Sequence, residues 1–129
     1  MPDDPSIRDD VRLLRRIIPE WVVADHNTNS KRVSSAAFSN SSGEHGIEEG
    51  MSVFLEDVLA AEGRTPASVL KGYESNALIA ITAGWVRSLG QGVVRDPLPD
   101  ETAHAQVMGD KNANMRRKLA KNYEWVVRL

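Results

Sequence analysis

Ala77–Pro99 reads ALIAITAGWVRSLGQGVVRDPLP, and the way this stretch divides decides the fold. Leu78-Ile79-Ala80-Ile81 is the strongest apolar run of the chain, and its length suits a buried strand. Thr82 stands where a hydroxyl caps a helix over 83–89, which Gly90 stops. Gly92-Val93-Val94-Arg95 reads as the next strand. Asp96-Pro97-Leu98-Pro99-Asp100 ends it, because proline supplies no N–H and restrains the residue before it. A crossover this short argues against a doubly wound parallel sheet, whose connections take a dozen residues or more. The expected fold is α+β, a single compact domain with a small, mostly antiparallel or mixed sheet and several short helices.

Downstream, His104–Met108 reads as a short strand. Asn112–Asn122 reads as a helix with Met115, Leu119 and Tyr123 on one face, and Trp125–Leu129 as a terminal strand or a helix extension. Upstream, Met51–Leu55 passes from strand into a helix over 56–62 closed by Gly63, and Thr65-Pro66 opens another over 66–72 ended by Gly72. Trp21–Ala24 and Val33–Phe38 are β-prone runs joined by the turn-forming stretch 25–31, the pattern of a hairpin with a polar tip. Ser39–Gly50 is the most loop-like segment, expected to be mobile or functional, and residues 1–5 are expected to lack fixed structure. Ile7, Val11, Leu14 and Ile18 recur at helical spacing behind Ser6 and Asp9, which predicts a helix near 7–17, with an extended Leu13–Ile18 as the alternative.

The chain has 129 residues, 41% hydrophobic and 26% charged, enough for one core without staples. It has no cysteine, which excludes disulfides, thiolate-bound zinc and thiol catalysis. Its apolar runs fall far short of the roughly 18 residues that span a bilayer, and Met1-Pro2-Asp3-Asp4-Pro5 is the reverse of a basic leader, so the expected compartment is the cytoplasm. The net charge of −2 is unevenly placed: residues 111–129 carry +5 and the remainder −7. Arg116, Arg117, Lys118 and Lys121 would give the last helix a cationic outer face, suited to an acidic protein surface or a phosphorylated small molecule, or else simply a solvated face. Nucleic acid is not an expected partner, since exposed aromatics interleaved with basic residues are absent. Trp21, Trp85 and Trp125 read as core or rim aromatics, and an oligomer remains open.

Among the three histidines, His26 and His45 lie in the two most polar stretches and read as solvated. His104 opens a strand after the Pro-flanked connector with Arg95 and Asp96 upstream, a placement that suits either a general acid or base or a hydrogen bond to the loop. A metal site would need loop residues to converge, and no spacing supports one. The run Arg32–Phe38 is rich in small residues, so Ser34 or Ser35 is a candidate ligand contact, although no G-x-S-x-G elbow accompanies them. Gly84, Gly90 and Gly92 cluster around a helix end, but the G-x-G at Gly90–Gly92 follows a helix and precedes a strand, the wrong order for a phosphate cradle, so Gly90 reads as a helix stop and Gly92 as a turn residue opening the next strand; no motif points to a cofactor.

The strings RVSSAAF (32–38), MSVFL (51–55), GQGVVRDP (90–97) and HAQVMG (104–109) resemble a group of small bacterial proteins with no assigned activity. The resemblance implies a bacterial origin and one domain, and carries no activity with it. An early arginine followed by a serine-bearing strand is also similar to ADP-ribosyltransferase-like domains, without their diagnostic catalytic glutamate motif. Two functions follow as expectations. The first is an accessory or binding protein that holds an acidic partner or phosphorylated ligand on the basic C-terminal helix, with Arg15 and Arg16 as a second basic group. The alternative is a small nucleotide-directed transferase or hydrolase, with His104 as acid or base, Arg15 or Arg95 on phosphate, and Ser34 or Ser35 against the ligand.

Overall fold

The strongest apolar run does form a strand, and every neighbour it acquires is antiparallel. A computed structural model describes residues 2–41 and 50–129. Its strands are β1 (Arg12–Ile17), β2 (Val22–Asp25), β3 (Ser30–Val33), β4 (Met51–Leu55), β5 (Ala77–Thr82), β6 (Gly92–Arg95), β7 (His104–Met108) and β8 (Glu124–Val127). The α-helices are α1 (Glu56–Ala61), α2 (Ala83–Ser88) and α3 (Ala113–Leu119), and tight 3-10 turns cover Pro19–Trp21, Ser35–Ala37 and Pro66–Leu70. One sheet runs in the order β6-β7-β4-β1-β5-β8, and β2 and β3 form a separate hairpin. The fold is α+β. Among the described residues no helix is long and apolar enough to cross a membrane.

Successive strand residues face opposite sides of the sheet, and both sides carry apolar side chains. Leu13, Ile17, Val53, Leu55, Ile79, Ile81, Val93 and Val107 build the larger core with Phe38, Val86 and Leu119 from the elements that cover it. Leu14, Phe54, Leu78 and Ala80 build a second, smaller core under Leu59 of α1 and Val69 and Leu70 of the Pro66–Leu70 turn. Helices of six or seven residues are not stable alone. Local caps and this packing hold them: Thr82 Oγ1 accepts from Trp85 N, Asn112 Oδ1 accepts from Met115 N, and Gly63 and Gly90 end α1 and α2 at positive φ.

The predicted helix near 7–17 is not formed; residues 12–17 are the centre of the sheet, as the extended alternative had it. The helical spacing arose by coincidence, because a strand buried on both faces also reads as closely set apolar residues. Six register pairs with β5 decide in favour of the strand. The hairpin forms, but its second strand is Ser30–Val33 rather than Val33–Phe38, because Ser34 Oγ accepts from Ala36 N and turns the chain into a 3-10 helix. Residues 3 and 4 are not loose: Asp3 Oδ1 accepts from Val93 N, Asp4 N donates to Val93 O, and Arg87 binds Asp3 and Asp9. Gly92 is the first residue of β6, as the strand reading of 92–95 had it, and a Cβ there would run into the Pro2 carbonyl. Most of the loop expected over 39–50, with His45, lies outside the described residues. Trp21, Trp85 and Trp125 are partly buried at the edge of the larger core.

Candidate functional site

The face of the sheet that carries the smaller core is incompletely covered, and a cleft of about 330 Å³ opens there. Its floor is Arg16 of β1, Ser52 and Phe54 of β4 and His104 of β7. One wall is Ser68, Lys71 and Tyr73, at and just after the Pro66–Leu70 turn. The other is the β6–β7 connector with Asp100 and Glu101, together with Arg64 from beyond α1.

Strand register sets the floor. Phe54 pairs with His104 and Ser52 with Gln106, so Ser52 and His104 are diagonal neighbours on one face. Ser52 Oγ and His104 Nε2 are 2.7 Å apart, and His104 Nδ1 lies 2.9 Å from the Asp96 carbonyl and 3.2 Å from its carboxylate Oδ2. Both Asp96 groups only accept, so Nδ1 carries the hydrogen, and in the neutral ring Nε2 receives the Ser52 hydroxyl. Gln106 Nε2 donates to the same Asp96 oxygen at 2.8 Å and holds that carboxylate in place. The imidazole meets the Phe54 ring edge to face at 5.8 Å, and its side chain is 11% exposed.

Three cationic side chains, Arg16, Arg64 and Lys71, line the same cleft with two carboxylates, Asp100 and Glu101. The Arg16 guanidinium lies 4.5 Å over the Phe54 ring and 3.8 Å over the Tyr73 ring, while its Nε donates to Val69 O. Burial lowers its pKa from the ordinary arginine value. Arg64 grips Glu101 through two 2.7 Å bonds, and those bonds hold the Glu101 carboxyl below its usual range. Lys71 is exposed at the rim and makes no ion pair with the described residues. The Ser68 hydroxyl is buried against the cleft with no hydrogen-bond partner among the described residues. The site therefore offers a hydroxyl paired with an imidazole, a carboxylate that orients the imidazole, and positive charge for an anion. Among the described residues no three histidine or carboxylate side chains stand together for a metal ion.

Of the residues singled out in the sequence, His104 and Arg16 line this cleft, whereas Arg15, Ser34, Ser35 and Arg95 do not. Arg15 points to the other side of the sheet, where it is 9% exposed and donates to Ala37 O and Ser52 O at 2.8 Å each. Arg95 binds Asp4 and Ser6 at the N-terminal segment. Ser34 caps the turn Ser35–Ala37, so the serine-bearing strand behind the ADP-ribosyltransferase likeness is not formed. The predicted helix over 112–122 is confined to Ala113–Leu119, so Arg117 and Lys118 are exposed on α3 and Lys121 is exposed just past its end, whereas Arg116 donates to Lys111 O and the Lys111 ammonium is turned inward to Val107 O and Gly109 O.

Sequence reasoning passed over Ser52, Arg64, Ser68, Lys71 and Tyr73, and took Asp96 only as a neighbour of His104. One signal was available: Ser52 is the single polar residue within Met51–Leu55, and its position places it on the same strand face as Phe54. Comparison with family models, curated proteins and solved structures returned no match.

Proposed function

We propose that the protein is a small hydrolase or transferase for a phosphorylated, nucleotide-like ligand, with His104 as its general base. The observation that supports this reading is the Ser52–His104–Asp96 series of hydrogen bonds opening into a cleft with Arg16 and Lys71. A base held in one tautomer beside a hydroxyl is the arrangement that activates a nucleophile. Arg16, held between two rings in the cleft, and Lys71 at its rim are suited to the charge of a phosphoryl group. Tyr73, 48% exposed, presents a ring on which a base can stack. The test is titration calorimetry with inorganic phosphate and nucleoside mono- and diphosphates, followed by a phosphate-release assay. Binding that weakens at least tenfold in Arg16→Gln supports the reading, and the absence of binding by every phosphorylated compound refutes it.

A second reading is favoured by one separate observation. Arg117, Lys118 and Lys121 are exposed without an ion pair among the described residues, while most other arginines are engaged. In this reading the face of α3 docks an acidic protein surface. Poly-glutamate serves as the probe: binding should weaken with salt and be lost in the Arg117→Glu/Lys121→Glu variant. Salt-independent binding, or none, refutes it.

A further inference from the structure

We propose that Ser52 is the nucleophile of this site and carries a phosphoryl group during turnover, so that the substrate class is a phosphate monoester and the reaction passes through phosphoserine. This rests on the reading that the cleft takes a phosphorylated ligand, and adds to it the attacking atom and the covalent step.

A neutral imidazole has one in-plane lone pair. At His104 the partners of Nδ1 are both acceptors, which leaves that lone pair on Nε2, and the group that meets it is the Ser52 hydroxyl at 2.7 Å. A water activated directly by His104 would first have to displace this hydroxyl. Ser52 is also held firmly. Its strand is laddered to β7 on one side, and on the other its carbonyl accepts from Arg15 Nη1, where the β1–β4 ladder has stopped. A nucleophile on a rigid strand, with its base fixed by Asp96 and Asp96 fixed by Gln106, loses little freedom on reaching the reactive geometry.

The step balances without a further reactant. Ser52 Oγ attacks phosphorus and its proton passes to His104 Nε2, giving an imidazolium whose Nδ1–H faces Asp96. The bond from phosphorus to the ester oxygen breaks, and the departing alcohol takes the proton from Nε2. Water then attacks phosphorus, gives a proton to Nε2, and the Oγ–P bond breaks as Ser52 recovers that proton. The products are an alcohol and inorganic phosphate. Arg16 and Lys71, which line the same cleft, are assigned to the phosphoryl oxygens, and Asp96 is a positioning residue that acts through the imidazole.

Two probes separate the nucleophile from the anion site. Diisopropyl fluorophosphate is neutral and needs no cation: attack by Ser52 forms the Oγ–P bond, breaks P–F and sends the proton to His104. Intact-mass and peptide mapping should place one adduct on Ser52, absent in Ser52→Ala and formed at least about a hundredfold more slowly in His104→Gln. With 4-nitrophenyl phosphate, acid quenching during turnover should trap phosphate on Ser52, and Ser52→Ala should lose nitrophenolate release while still binding inorganic phosphate. Asp96→Asn should slow labelling without changing phosphate affinity. Variants are compared at temperatures where their unfolding curves show the folded state. No adduct on Ser52, an adduct indifferent to His104→Gln, or nitrophenolate release that survives Ser52→Ala overturns the proposal. Labelling of Ser52 without any phosphate binding would keep the nucleophile and overturn the phosphorylated-ligand reading and the phosphoserine step together.

Discussion

Replacing Arg15 by methionine removes a guanidinium from the point where β1 and β4 part, while keeping most of the side chain's volume. The two strands pair only over Leu13–Leu55 and Leu14–Phe54, whereas β1 and β5 pair over their whole length. Beyond Leu14 the lateral tie from β1 to β4 is the Arg15 side chain, which joins Ser52 O to Ala37 O. Holding the charge there is unfavourable. Burial pushes the Arg15 pKa down to about 10 from the ordinary arginine value, a cost of about 3 kcal/mol at 1.36 kcal/mol per factor of ten. Against this stand two 2.8 Å bonds from a charged donor to backbone carbonyls, at about 1.5–3 kcal/mol each. The difference is a net contribution of up to about 3 kcal/mol. Because Arg15→Met also leaves the Ala37 and Ser52 carbonyls without this donor, it should unfold at lower urea with an unchanged slope, by about 1–3 kcal/mol, or about 4–11 °C in melting temperature for a domain of this size. Arg15→Ala should lose about 2 kcal/mol more, because it also leaves a cavity. A methionine variant as stable as the native protein, or more stable, would refute the reasoning: the bonds would then not outweigh the buried charge.

Other perturbations follow from single contacts. Thr82→Ala removes the cap on Trp85 N and should cost about 1 kcal/mol in urea unfolding, with a serine substitution largely restoring it. Gly50→Ala would place a Cβ 2.6 Å from Val107 O and 2.7 Å from Met108 Sδ, so β7 must shift at its end; a loss of about 1–3 kcal/mol is expected. Glu101→Gln weakens the paired bonds to Arg64 and should cost about 1–2 kcal/mol, measurable by thermal melting. Glu101 and Asp3 both have carboxyl pKa values lowered in the folded state, the first by Arg64 and the second by Val93 N. Their stabilisation is present above the unfolded carboxylate range near about pH 4 and is lost as pH falls through the lower folded values. Melting temperature should therefore drop below about pH 4, and the drop should be shallower in Glu101→Gln.

Local signals carried the elements that local physics controls. The strand at Ala77–Thr82, the helix that Thr82 caps and Gly90 ends, the strand Gly92–Arg95 closed by Asp96-Pro97, and the strand His104–Met108 were all legible, because each is bounded by a residue whose own chemistry ends it. The 7–17 segment was misread for the opposite reason. Its hydrophobic spacing fits two periods, and the choice is made by β5, whose paired residues lie sixty to seventy positions away in the chain. Residues 34 and 35 were misread because one serine hydroxyl bonding two residues ahead outweighs the β propensity of the run.

The candidate site divides in the same way. His104 was visible as a titratable side chain behind a rigid connector, and its pairing with Asp96 needs only the short loop between β6 and β7. Ser52 could reach His104 only through the β4–β7 register, which joins residues 52 positions apart. The two neighbouring arginines show the point most plainly: Arg15 and Arg16 are equivalent in sequence, yet strand alternation sends one into the larger core and the other into the cleft between two rings. By itself, the sequence determined the α+β class, the chain's punctuation by caps, glycines and prolines, and the presence of a histidine at a strand start. Only the tertiary structure decided which hydroxyl, which carboxylate and which cations surround that histidine, because side chains far apart in the chain meet through strand pairing, and no local propensity encodes a register.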